Sequence, residues 1–239
     1  MSLIRLNKYL ASTGVCSRRK ADEHTLDGAV SINGIIVREL GTKIDPEKDK
    51  IQFKGTDVGQ SEKFVYYAIN KPCGVISTAS DENGRQTVLE LVPETPRVYP
   101  VGRLDKDSDG LLILTNDGEM TNKLTHPKFE HEKEYIVKAR TQKQVVIDPR
   151  EIENRFVNGI SVDGKIMKAD TVSASMIRNN RYDIWVTIHT GYNRQVRKMC
   201  AKMGLEVVGL TRTRIGKLTL SSLGLTSGQY IEIKKEDLV

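Results

Sequence analysis

The segment Gly102-Arg103-Leu104-Asp105-Lys106-Asp107-Ser108-Asp109-Gly110 packs three carboxylates and two cations into nine residues, just ahead of the apolar run Leu111-Leu112-Ile113-Leu114. Loop residues held by a rigid strand are common sites of chemistry. A carboxylate there can serve as nucleophile or base. The residue types alone leave open a charged turn or an acidic ion-binding loop. A second charged block, Gly191-Tyr192-Asn193-Arg194-Gln195-Val196-Arg197-Lys198-Met199, is basic. A third, Ser17-Arg18-Arg19-Lys20, opens a predicted helix. Free backbone N–H groups at a helix start attract anions. Three cations there oppose the helix dipole by roughly 0.3–1 kcal/mol each at most, a conflict that a phosphate ligand would remove.

These residues need elements to position them. Residues 5–12 predict a short helix, with Leu6, Tyr9 and Leu10 on one side and Gly14 as its break. Ser17 caps a second helix over 18–27, ended by Gly28. Asn33-Gly34 between apolar flanks predicts a hairpin, and Ile51 and Phe53 mark a further strand. The polar, glycine-containing stretch 55–62 reads as a linker. Beyond it, strand-like and helix-like segments alternate. Residues 111–114 read as a buried strand, followed by a turn and helix start at Asn116-Asp117-Gly118. Residues 182–188 place Ile184, Val186 and Ile188 on one face. Asn193 is the expected cap of a helix over 194–203 that ends at Gly204. On that helix Val196, Met199, Cys200 and Met203 face the core, Arg197 lies beside that face, and Lys198 and Lys202 point to solvent. The mixture predicts an α+β fold on a mostly antiparallel sheet.

Composition narrows the function classes. The 239 residues carry 38% hydrophobic and 28% charged residues, a net charge of +6 and a pI near 9.1. That balance permits a polyanionic partner without requiring one. No run of about eighteen apolar residues suggests a membrane span, and the N-terminus lacks the apolar core of a secretory signal. Cys16, Cys73 and Cys200, and His24, His126, His131 and His189, show no metal-ligand spacing. The sparse, odd cysteine set predicts reduced thiols and a cytoplasmic setting. There is no glycine-rich phosphate loop and no nucleophile elbow. No metal or cofactor is expected, and the absence of an apolar heptad makes a monomer the default.

Arg5-Leu6-Asn7-Lys8-Tyr9-Leu10-Ala11, Gly14, Ser17-Arg18-Arg19, Ala21, Gly28 and Val30-Ser31-Ile32-Asn33-Gly34 resemble the RNA-binding domain of ribosomal protein S4. The resemblance covers residue 4 to about 53. It implies that Arg5, Arg18, Arg19 and Lys20 contact phosphates, which position a protein on RNA more than they specify sequence.

Five further blocks resemble the RsuA-type pseudouridine synthases. They are Asn70-Lys71-Pro72-Cys73-Gly74; Gly102-Arg103-Leu104-Asp105 with Gly110 to Gly118; Glu132-Lys133-Glu134-Tyr135; the basic block ending at Met199; and Arg212, Arg214 and Gly216. They span nearly all of residues 64–233. Expected domains are therefore an S4-type domain at 1–55, a linker at 56–62 and a catalytic domain at 63–239. The implied reaction detaches uracil from ribose, turns it over and rejoins it through carbon five, an isomerisation without cofactor. The implied catalytic residues are Asp105 as ionised carboxylate, Tyr135 as stacking partner, and Arg197 as the arginine that favours the charged carboxylate. The flipped uridine must leave its stack. Arg103 is the candidate to fill the vacated space or hold the backbone, with Asn193 and Arg194 as further RNA contacts; Lys71 is expected to support the loop or to bind phosphate.

The chain departs from the family pattern at Thr190-Gly191-Tyr192-Asn193, where Glu-Gly-Arg-Asn is common, and at Ile231, where arginine is frequent. The blocks around Tyr135 and Arg197 look most like the RluF-like branch that modifies large-subunit ribosomal RNA. The competing readings are a non-catalytic RNA-binding assembly factor and a synthase for transfer RNA.

Overall fold

A computed structural model describes residues 3–59, 62–141, 145–178 and 180–238, which divide into two compact units. The first comprises residues 1–64 with 95–97 and 116–118, the second the remainder.

In the first unit, β1 (Ile4–Arg5) leads into α1 (Leu6–Ser12), and α2 (Arg18–Leu26) follows. Leu6, Tyr9, Leu10 and Ala21 are buried with Val30, Ile44 and Ile51 in one small core. The Ser17 side chain caps α2, accepting from the Lys20 N–H at 3.2 Å. β2 (Val30–Ile32) and β3 (Ile35–Ile36) form the Asn33-Gly34 hairpin. Both turn residues have positive φ, 53° and 81°, as this two-residue turn demands. β4 (Lys43–Ile44) pairs with β1, and β5 (Ile51–Phe53) pairs with β2. β6 (Thr56–Asp57) pairs with β5, so the start of the expected linker is the closing strand of this unit. Gly55 in the turn, Gly59 just beyond the strand and polar side chains gave that hairpin the look of a connector. Gln60 and Ser61 of the expected linker lie outside the described residues.

The second unit is built on a mixed sheet. Its strands are β7 (Tyr66–Lys71), β8 (Tyr99–Val101), β9 (Asp109–Thr115), β10 (Lys133–Thr141), β13 (Thr171–Arg178), β14 (Arg181–Ile188), β15 (Leu205–Ile215), β16 (Leu218–Thr219) and β17 (Tyr230–Glu232). A separate hairpin holds β11 (Ile160–Val162) and β12 (Lys165–Met167). The sheet runs β13-β14-β10-β15-β9-β7-β17, with β8 on β9 and β16 on β15. Only β15 and β9 pair in parallel among the described strands. The fold is α+β with a mostly antiparallel sheet.

Both faces of the central strands are covered. Tyr67, Ile69, Leu112 and Leu114 join the larger core, which also holds Ile152 and Phe156 of α4 (Pro149–Asn158) and Val196, Met199 and Cys200 of α5 (Gln195–Lys202). Tyr66, Ala68, Leu111 and Ile113 join a smaller one with Met120 and Leu124 of α3 (Gly118–Thr125). Two covered faces explain the unbroken apolar run 111–114, since successive strand residues point to opposite sides. Gly110, with φ 104°, sits where β9 meets β15. A Cβ there would lie 2.3 Å from the Arg212 carbonyl oxygen, so the close backbone approach requires glycine.

Candidate active site

The charged loop is tied down on both sides of Asp105. Leu104 is buried, and the Ser77 hydroxyl both accepts from its N–H (3.1 Å) and donates to its carbonyl (2.9 Å). The Gly74 N–H donates to the Lys106 carbonyl at 2.7 Å, and the Ser108 N–H donates to the Asp105 carbonyl at 3.1 Å. Asp109 and Gly110 already belong to β9. The Asp105 backbone is thus fixed while its carboxylate remains 30% exposed.

That carboxylate opens onto a cavity of about 320 Å³. Its lining includes Tyr135, Arg103, Lys133, Asn193, Arg194 and Arg212, with Val196, Leu210 and Ile188 among the apolar residues. Tyr135 is 9% exposed and stands between Val186 of β14 and Arg212 of β15 in the sheet register. A second groove, lined by Arg103, Asp105, Lys106, Asn193 and Arg85, meets the first at Arg103, Asp105 and Asn193.

Two arginines serve the loop differently. Arg194 forks onto Asp107 (Nη1–Oδ1 3.0 Å, Nη2–Oδ2 2.9 Å) and lies 3.4 Å from the Asp105 carboxylate through Nη1. The Arg194 hydrogen bond holds the Asp107 carboxyl below its ordinary value, against the opposing effect of burial. Arg197, its side chain 12% exposed, donates from Nη2 to the Asp107 carbonyl (2.6 Å) and to the Ser108 hydroxyl (3.1 Å). The arginine beside Asp105 is therefore Arg194, whereas Arg197 was expected there. Arg197 braces the backbone two residues further on.

The helix start differs too. Asn193 does not cap α5; Arg194 is the cap residue, in a left-handed conformation (φ 53°) and with no capping side-chain bond. The bend carries the Arg194 guanidinium to the loop, while Asn193 is exposed in the lining of both grooves. Lys71 is fully buried, so the expected phosphate contact fails. Its ammonium donates to the carbonyls of Pro72 (2.8 Å) and Val75 (2.7 Å), bracing the turn beneath the loop, and burial lowers its pKa.

Residues 65–202 match the model of the RNA pseudouridylate synthase family, and residues 4–51 match the S4 domain. The chain belongs to the RNA pseudouridylate synthase family. It is 41% identical over 237 residues to the ribosomal large subunit pseudouridine synthase B of Bacillus subtilis, covering 98% of this chain and 93% of that one. It is 35% identical over 239 residues to the dual-specificity RNA pseudouridine synthase RluF of Escherichia coli, covering 100% and 78%. A crystal structure of a pseudouridylate synthase superposes with a TM-score of 0.66 at 29% identity, covering 98% of each chain.

Elsewhere in this synthase, Arg18, Arg19 and Lys20 share the exposed first turn of α2, and Arg5, also exposed, precedes α1. Lys20 pairs with Glu23 at 2.7 Å. Sequence reasoning overlooked Lys133 and Arg212 as site residues, although both fall in blocks it had singled out. Lys133 reads as one more charge on a polar strand end, and Arg212 alternates with other polar residues along β15. The signal that finds them is the strand register.

Proposed function

We propose that this enzyme converts a uridine of ribosomal RNA, in the large subunit, to pseudouridine, acting as a monomer with Asp105 as its central carboxylate. The observation that carries this reading is a carboxylate on a loop anchored on both sides, at Leu104 and Lys106, at the mouth of a base-sized cavity walled by Tyr135. The S4 match and the relative named for the large ribosomal subunit support the choice of RNA.

In this reading a target uridine leaves its stack, at a cost on the order of a few kcal/mol, and its ring enters the cavity against Tyr135. Stacking on an aromatic ring returns roughly 1–3 kcal/mol. The N1–C1′ bond breaks with its electron pair left on the ring, and Asp105 answers the electron deficiency at the sugar, either as a nucleophile whose bond to C1′ is broken when carbon five attacks or as a base that takes the C2′ proton and later returns it. The ring turns, carbon five bonds to C1′, its proton leaves, and N1 gains one. Substrate and product have the same atoms, so no redox partner or group donor is consumed. Arg194, 3.4 Å away, keeps the Asp105 carboxylate in place, and Arg103 and Asn193 line the route by which the strand approaches.

A second reading, a broader range of RNA targets, draws on the relative named as dual-specificity. One experiment separates the readings: tritium release from RNA labelled at carbon five of uracil, with wild type and Asp105→Asn on large-subunit, small-subunit and transfer RNA. The expected result is release from large-subunit RNA by wild type and a loss of at least about 10⁴-fold in a folded Asp105→Asn, the scale set by removing a nucleophile. Release from transfer RNA as well would establish the broader range. No release from any RNA would leave an RNA-binding protein.

A further inference from the structure

The cavity that receives the ring in the reading above is electrically lopsided. Asp105 is the one carboxylate among its lining residues, against Arg103, Lys133, Arg194 and Arg212. Arg103 and Arg194 are exposed, and Arg194 is occupied by Asp107 and Asp105. Lys133 and Arg212 are the deeper pair. Lys133 donates to the carbonyls of His131 (3.0 Å) and His189 (3.3 Å), and burial, then the charge of Arg212, lowers its pKa. Arg212 is 3% exposed; its Nε–H is spent on the Leu111 carbonyl at 2.7 Å. Its Nη2 is buried with no hydrogen-bond partner among the described residues.

A buried guanidinium nitrogen without a partner is costly, by the desolvation of a charged donor, and a second cation nearby adds to the cost. The backbone shows how Arg212 comes to be there. β15 pairs with β10 through Glu134↔Arg214 and then Tyr135↔Arg212, with a shift of register between them. Thr213 is the extra residue of this bulge. Without it, Arg212 and Arg214, two apart on a strand, would share a face. With it, Arg214 lies with Glu132 and Glu134, pairing at 3.1 and 3.6 Å. Arg212 lies opposite Tyr135, in the cavity lining. Bulges beside active sites re-aim side chains in this way.

We propose that Arg212 is a further catalytic residue, its unpartnered Nη2 donating to a carbonyl oxygen of the uracil ring where negative charge gathers as the N1–C1′ bond breaks. The proposal rests on the pseudouridine synthase reading. The electron pair released by that bond delocalises from N1 onto the ring carbonyl oxygens, and it is returned when carbon five bonds to C1′. A preorganised donor in a water-poor cavity acts most strongly on charge that develops only in the transition state. Lys133 adds a positive potential to the same wall. A phosphate contact fits less well, because the residues around Arg212 include Tyr135, Leu210 and Ile215, the surroundings of a planar base.

The test is a coupling cycle between side chain and substrate. Single-turnover product formation is measured for wild type, Arg212→Gln and Arg212→Lys on the RNA stem that the tritium assay shows to be modified. The stem carries uridine, 2-thiouridine or 4-thiouridine at the target, because sulfur is a poor acceptor at the proposed contact. RNA affinity and thermal melting are measured beside it. Arg212→Gln is expected to slow uridine about 100-fold, the scale of one lost donor to a developing oxyanion, with RNA affinity within about two-fold. Wild type should discriminate against one of the two thio substrates, and that discrimination should collapse in the variant. Arg212→Lys, which keeps a cation and a donor, carries the cycle if the glutamine variant does not fold. Equal slowing on all three substrates would make Arg212 a structural residue and overturn the proposal. So would a loss confined to affinity, or a wild type indifferent to both thio substitutions. An inactive wild type would overturn the synthase reading and this proposal together; an active wild type matched by a folded Arg212→Gln overturns this proposal alone.

Discussion

The two units deploy their cations in opposite ways. In the first, Arg5, Arg18 and Arg19 are exposed at helix starts, and Lys20 shares its charge with Glu23 at the surface. In the second, Arg194 and Arg197 are spent on one loop, Lys71 is buried against backbone carbonyls, and Arg212 is buried with one nitrogen unmatched. The first arrangement suits a partner read by charge, where each contact is weak, solvated and additive. The second suits a site whose geometry must be set before the partner arrives. The first set is left at the surface for a partner, whereas Arg194, Arg197 and Lys71 hold the carboxylate loop and its turn, and Arg212 keeps a donor in the cavity wall.

The sharpest way to break this contrast after Asp105→Asn is Arg197→Ala. As a strut, Arg197 should affect chemistry far more than binding. The expected outcome is a fall in single-turnover rate of about 100-fold, the cost of a misplaced catalytic group. RNA affinity should change little, and stability should drop by about 2 kcal/mol for the lost charged hydrogen bonds. Kinetics, filter binding and thermal melting read the three quantities. A variant that loses only affinity would place Arg197 among the RNA ligands and dissolve the distinction.

The converse test is Arg18→Ala with Arg19→Ala and Lys20→Ala. Here affinity for the RNA should fall by about ten-fold at moderate salt, with the rate of the bound complex unchanged. The slope of log affinity against log salt should flatten by about 2, since each phosphate contact contributes roughly 0.7–0.9. A slope identical to wild type would mean that these exposed cations meet no phosphate.

What the sequence disclosed follows the same line. In the first unit the two helices, the hairpin and the strand at Ile51 and Phe53 were legible, because their signals are local: Ser17 before an amphipathic turn, Gly28 after it, Asn33-Gly34 between apolar pairs; the two-residue strands β1, β4 and β6 were not. In the second unit the strands at 111–114 and 182–188 were legible from apolar run and alternation, as was the core face of α5. The site's internal wiring was not. The exchange of Arg194 for Arg197 beside Asp105 depends on a left-handed residue at a helix start, where an Asn cap is the ordinary expectation. The placing of Arg212 depends on a one-residue bulge, which flips a side chain without leaving a trace in composition. For Lys71 the sequence left open a phosphate contact or support of the loop, and its partners are carbonyls that no spacing reveals. Family blocks located these residues; the helix start, the buried turn and the strand register told what each one touches.

The smallest expected effect concerns pH and the Arg194–Asp107 fork. Asp107 has a folded-state pKa held below its ordinary value, chiefly by the Arg194 hydrogen bond. A depressed carboxylate contributes stability that is fully present above the unfolded value, near 4, and lost as pH falls through the folded one. The pair is almost half exposed, 42% and 48%, so solvent screening holds its contribution to less than about 1 kcal/mol. Wild type should therefore melt slightly above Asp107→Asn at pH 7, and the gap should close as the pH is lowered past the ordinary carboxylate range. Because the same guanidinium lies 3.4 Å from Asp105, Asp107→Asn leaves it free to follow Asp105. The variant's single-turnover rate at neutral pH should stay within a few-fold of wild type. A large rate loss in Asp107→Asn at unchanged stability would move Asp107 from the loop's scaffolding into the chemistry, and the fork with it.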